Sequence, residues 1–469
     1  MTSSSFGSIL AASSWAGICL WLFLVRPRIF WTFVIFLFAF SFRILDTLYI
    51  DTVGPVQAQE LFRDIGPGAS TIPLVLAYVV VLLPMLALLT PSKRRGIKYH
   101  LVASMHRGAG LAIRDWAFIF LTGYLVLLWG DFIRIGIVPA FAGMERYVYT
   151  KEYGGYFHRL LMEWGNILAM VLGFLFAARR RVDNRVDQRF LGALLVVLVY
   201  LFLAGHRFSA FYSYSAFFVM GAGLTDLGSE SRRSVSDRRL ELKYVLLAVM
   251  LLGLVGFALL RSYTVVRGGA NEEAVQQAFK ERVLVQQGEM WWATYERVFK
   301  YGKTAPEGTI NFLFLSPADP ERNSTIQYLM FQALPEQRVR EILREGSNYA
   351  GGFPEIHFEL FGPWLGYLSL LLYATLYAFA LRGLSHAAAR RRYGTVVFMA
   401  VALYPPTIHF LGGMLNFLTA WTFWLKIAVA TMVAVAEAAA NSSQNRKSPR
   451  ARETTRRASL ATGRAGLGA

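Results

Sequence analysis

The run GGFPEIHFELFGPWLGYLSLLLYATLYAFAL, residues 351–381, changes character part-way along. Its two glycines and proline close a polar segment that opens near Arg261. From His357 onward the chain stays apolar long enough to cross a hydrocarbon core as a helix. Upstream of Arg261 and downstream of this run, apolar stretches alternate with short basic turns. The reading is a chain that threads a membrane many times and hangs one large loop, about Arg261 to Glu355, on one face. Chemistry is expected at that face.

Composition agrees. The 469 residues are 55% hydrophobic and only 17% charged, against about 25% charged in soluble domains. Runs near membrane-spanning length indicate helices, whereas an outer-membrane barrel would show short alternating segments. The formal charge of +18 would suggest nucleic acid in a soluble protein. Here it lies in short loops and a tail, where it reads as a topology signal, and no nucleic-acid partner is expected. The single cysteine, Cys19, allows no internal disulfide and no cysteine-based metal site. No metal or other cofactor is expected. The first apolar run lacks a basic leader and cleavage site, so it is expected to be retained.

The expected fold is an all-α polytopic membrane protein with eleven spans: 8–25, 29–48, 70–90, 115–131, 159–178, 190–205, 208–224, 244–260, 357–381, 394–412 and 414–436. Four regions follow: membrane helices over 1–260, a partly helical loop over 261–356, membrane helices over 357–436, and a disordered basic tail over 437–469. Every second connection is basic, and together these hold 29 of the 48 lysines and arginines. They share one side only if the span number is odd. The positive-inside rule makes that side cytoplasmic, which puts the N-terminus and the large loop outside, in the periplasm, and the C-terminus inside.

Charges at or inside spans are costly and mark candidate sites. Arg207, in the short turn Gly205-His206-Arg207, either clamps a phosphate or snorkels from a helix end. Arg261 and Arg267 at the loop's start suit a diphosphate at headgroup level, with Gly268-Gly269 allowing close approach; the alternative is an interfacial anchor. Glu355 and Glu359 share a helix face, with His357 on another. Either they favour the helix dipole or one of the three acts as general base. Arg43 sits in an apolar run where it pairs with Asp46 at i, i+3 or meets substrate. A helix over Gln276 to Phe299, carrying Arg282, Trp291, Trp292 and Tyr295, is expected to expose its aromatics to sugars or to the membrane surface. No phosphate-cradling GxxxxGK[ST] and no HExxH occurs. Activation therefore has to arrive with the substrate.

Many spans, the mid-chain Gly-X-Arg, the Arg-Gly at 267–268 and the GGFPEIHFELFGPWLG segment resemble the O-antigen and exopolysaccharide repeat-unit polymerases of the Wzy class. The resemblance implies a GT-C-like integral-membrane glycosyltransferase of the bacterial inner membrane. It implies polymerisation of undecaprenyl-diphosphate-linked oligosaccharides at the periplasmic face, by inversion and without nucleotide sugars. By that resemblance Arg207 and Arg267 hold the diphosphate, and Glu355 or Glu359 fills the acidic position. Arg261, Arg282 and Arg43 are expected as further substrate contacts, and Glu355, His357 or Glu359 is expected to take the proton. Implied partners are the lipid-linked oligosaccharide, the bilayer, a chain-length regulator and a flippase. An O-antigen ligase and a lipid-linked oligosaccharide transporter are the alternatives.

Overall fold

The computed structural model describes residues 3–58, 61–89, 107–142, 144, 148–183, 187–206, 208–227, 284–304, 325–344 and 351–440. The helices are α1 (Ser3–Val25), α2 (Pro27–Thr32), α3 (Val34–Val53), α4 (Thr71–Leu89), α5 (Arg107–Ile135), α6 (Pro139–Ala142), α7 (Tyr156–Asp183), α8 (Gln188–Leu203) and α9 (Phe208–Leu227). The loop supplies α10 (Gln286–Thr294), which runs on as a π-helical turn over Tyr295–Lys300, then α11 (Thr325–Ala333) and α12 (Glu336–Arg344). The chain returns through α13 (Glu355–Ala389), α14 (Tyr393–Gly412), α15 (Asn416–Thr419) and α16 (Trp421–Ala440).

Among the described residues, seven helices are long and apolar enough to cross a membrane: α1, α4, α5 with α6, α7, α13, α14 and α16. α3 and α9 are each 20 residues long, and α8 is a shorter apolar helix. The span expected over 244–260 lies outside the described residues, as does the tail beyond Ala440. Many large apolar side chains point outward from the helices, among them Phe120, Trp364, Leu376 and Trp421. In water such a surface would be a liability; against lipid it costs nothing.

Small residues let the helices approach. A Cβ on Gly221 of α9 would run into the Met170 carbonyl oxygen of α7. One on Gly173 would run into that of Phe218, so the two backbones touch. Without a hydrophobic drive between helices in lipid, this close packing is what holds such a pair together.

Contacts sort the helix ends into two sets. At one end, Asp51 of α3 accepts from Ser8 Oγ (2.9 Å), Ser70 Oγ (2.9 Å), and Thr71 N and Oγ1 (2.8 and 2.7 Å). It thereby caps α4 and ties down α1, and α10 packs over the same end. At the other end Ser385 donates to the Leu224 carbonyl, and Gly394 and Thr395 donate to Glu437. Arg382 and Arg390–Arg392 belong to that second end.

The described residues bear out the all-α membrane fold; beside the helices, Val56–Ala58 and Arg63–Ile65 form a short two-stranded antiparallel ribbon, β1 and β2, with Gln57 opposite Asp64. One expectation needs correction. The aromatics of the loop helix are not exposed. Trp291 is fully buried and donates from Nε1 to the Ser70 carbonyl (2.8 Å), and Trp292 is buried against Ile50, Ile65 and Ala293. They are the core that seats the loop on the bundle, so they face neither sugar nor bilayer. The described part of this helix begins at Gln286; its expected start at Gln276 lies outside the described residues.

Candidate site at the loop-capped end

Two arginine–carboxylate pairs build the site. Arg43, on α3, forks onto Glu355 at the start of α13: Nη2 meets Oε1, and Nη1 donates to Oε2 at 3.3 Å. Its Nε donates to the Gln287 carbonyl (3.1 Å), so the guanidinium also holds α10. Both side chains are buried, Glu355 completely. Gly351 sits against them at φ 113°, where a Cβ would lie 2.9 Å from Arg43 Nη2. Only glycine meets both demands. The expected partner Asp46 does not hydrogen-bond to Arg43. It accepts instead from the Gln287 amide (3.0 Å) and caps α10. The reason is distance in sequence: a carboxylate brought from position 355 fills the fork bidentately, which a neighbour one turn away on the same helix does not do.

One turn beyond Glu355, Glu359 meets Arg297 Nη2 from the π-helical turn. Arg297 Nη1 also donates to Gln332, on the backbone carbonyl (3.1 Å) and on Oε1 (2.8 Å). This second pair is not sealed. Arg297 is 20% exposed, and with Met290, Thr294, Leu329, Gln332 and Glu359 it lines a small cleft with room for about one water molecule. α13 then breaks at Gly362 (φ 73°, ψ −177°) before Pro363, so the turn carrying Glu355 and Glu359 is a separate piece from the membrane-crossing part.

His357 lies on the other face of that turn, as its spacing requires. Its Nδ1 is 2.8 Å from Ser369 Oγ and its Nε2 is 2.9 Å from His409 Nε2 of α14. Phe353 and Tyr373 wall the two rings in. A second crossing locks the same region: Gly352 packs on Gly413, and Thr325 Oγ1 donates to the Gly413 carbonyl.

Of the residues singled out in the sequence, Arg43, Glu355, His357 and Glu359 are thus brought together at one end. Arg207, Arg261, Arg267 and Arg282 lie outside the described residues. Described Gly205 (φ 75°) and His206 form the short turn between α8 and α9, with His206 buried near His158. Arg297 and His409 were not picked out as site residues. The signal for Arg297 was a cation in the loop helix, and for His409 a lone histidine near the end of an apolar run. Among the described residues, no group of three or more His, Cys, Asp or Glu is placed to hold a metal ion.

Residues 319–425 match a family of unknown function, DUF6418. That stretch contains α11 to α15, and with them Glu355, His357, Glu359 and His409. No curated protein and no solved structure matches the chain.

Proposed function

We propose that the chain is an inner-membrane glycosyltransferase of eleven spans that polymerises undecaprenyl-diphosphate-linked oligosaccharide units at its periplasmic face. The observation that carries the reading is the Glu359–Arg297 pair: a carboxylate held beside a cleft, at the end of the bundle that the large loop covers. The separation of this end from the basic turns at the other, together with the lack of a nucleotide-binding motif, supports a donor already activated in the membrane.

In the mechanism, a hydroxyl of the incoming unit attacks the anomeric carbon of the growing chain, and the lipid diphosphate leaves. One displacement inverts the centre. Glu359 takes the hydroxyl's proton. Glu355 and His357 are less suited, because Arg43 fills one and Ser369 with His409 fills the other, away from the cleft. Arg207 and Arg267 hold the diphosphate and balance the charge that builds as it departs, with Arg261 and Arg282 as further substrate contacts. Arg43 positions Glu355 and does not touch substrate.

A deletion strain tests polymerase against ligase. Single repeat units on the cell surface are expected. Complete loss of surface sugar would point to a ligase, and accumulation of lipid-linked units on the cytoplasmic side would point to a transporter.

A further inference from the structure

We propose that the cleft beside Arg297 is a phosphoryl-binding subsite, in which an incoming phosphoryl oxyanion takes Glu359's place on Arg297 and frees the carboxylate as substrate arrives. This rests on the reading of Glu359 as the reacting carboxylate.

The argument is the contrast between two pairs one turn apart. Arg43 spends its fork on Glu355 and its Nε on Gln287, and neither side chain of that pair reaches solvent to any extent. Nothing can enter there without dismantling the packing. Arg297 is anchored differently. Gln332 holds Nη1 from two oxygens whether or not Glu359 is present, and a fifth of the side chain remains open to the cleft. The guanidinium would therefore stay in place if its carboxylate left.

The walls match the ligand class. Arg297, Gln332 and Thr294 line the cleft together with the apolar Met290 and Leu329, and Thr294, which hydrogen-bonds Glu359, is released with it. A planar guanidinium presents paired N–H groups at the spacing of two phosphoryl oxygens. The cleft has room for about one water, so a phosphoryl group cannot simply be added. It must replace something, and Glu359 is the anion that already occupies the guanidinium. The turn bearing Glu359 is itself held, by Glu355 on Arg43 and by His357 on Ser369 and His409, so the exchange is a rotation of the Glu359 side chain away from Arg297 and not a movement of the turn. The exchange makes and breaks no covalent bond; it adds the phosphoryl charge to the site and leaves Glu359 an unpaired carboxylate, which the hydroxyl's proton then neutralises.

The test is calorimetric titration of inorganic pyrophosphate into the full chain in phosphatidylcholine nanodiscs. Arg297→Gln is expected to weaken binding by about tenfold or more, the factor lost with one charge-assisted hydrogen bond. Glu359→Gln is expected to tighten it, because a neutral amide no longer competes for the guanidinium. If Arg297→Gln does not fold, Arg297→Lys keeps the charge and loses the fork, and the sign of the Glu359→Gln change decides alone. Absence of binding in both the native chain and Glu359→Gln overturns the proposal, and so does weakening by Glu359→Gln. The readout is binding, not polymer. A chain that binds as described yet makes no polymer would remove the polymerase reading and leave this subsite standing.

Discussion

Glu355 and Glu359 each meet an arginine, yet they should answer mutation differently. Glu355→Gln leaves the Arg43 charge buried without its partner, a change that costs about 3–5 kcal/mol in comparable sites. A large drop in unfolding temperature in detergent is expected. Glu359→Gln should cost clearly less, since Arg297 keeps Gln332 and a fifth of its surface in solvent. That variant is expected to purify folded and make no polymer. Equal destabilisation by the two would contradict the distinction between a sealed and an open pair. The sequence carried the acidic residues and the histidine, because GGFPEIHFE breaks so abruptly into an apolar run. It did not carry their partners. Arg43 and Glu355 are 312 residues apart and Arg297 and Glu359 are 62 apart, and no local pattern links such positions. Asp46 was the natural local guess for Arg43 and caps α10 instead.

At the scale of elements, hydropathy located the helices well, because each buries or exposes apolar surface along its whole length. The helices it located include the closely spaced α8 and α9 on either side of Gly205. It located the loop's architecture poorly. Strands of three residues are too short to show alternation, so β1 and β2 went unseen. Trp291 and Trp292 stand among polar neighbours, which suggested exposure, yet they pack under the loop helix. The arginine of β2 closes this arrangement: Arg63 reaches Glu296 at 2.7 Å and lies 5.5 Å over the Trp292 ring. The tightest test of helix packing is at α7 and α9. Gly221→Leu would drive a side chain into the Met170 backbone, and overpacking of this kind costs about 1–3 kcal/mol or more. Loss of a monodisperse peak in size-exclusion chromatography is expected for Gly221→Leu. A similar change at Gly123, where a Cβ meets nothing within 4 Å, should leave the peak intact.

At the scale of the molecule, the two sets of helix ends give the chain a polarity that cysteine labelling can read. In a Cys19→Ser background, Lys303→Cys lies on the loop-capped end and Arg390→Cys on the other, both exposed. A membrane-impermeant thiol reagent is expected to label Lys303→Cys once it reaches the periplasm, and Arg390→Cys only after the inner membrane is opened. The reverse would invert the topology and place the carboxylates in the cytoplasm, where nucleotide sugars are available and the argument for a lipid-linked donor falls. The central claim is tested most directly by incubating the purified chain with lipid-diphosphate-linked repeat units, without nucleotide sugars or added metal, and resolving the products on a gel. The account predicts a ladder of repeat lengths that disappears in Glu359→Gln. No ladder from the native chain, or an undiminished ladder from that variant, would contradict it.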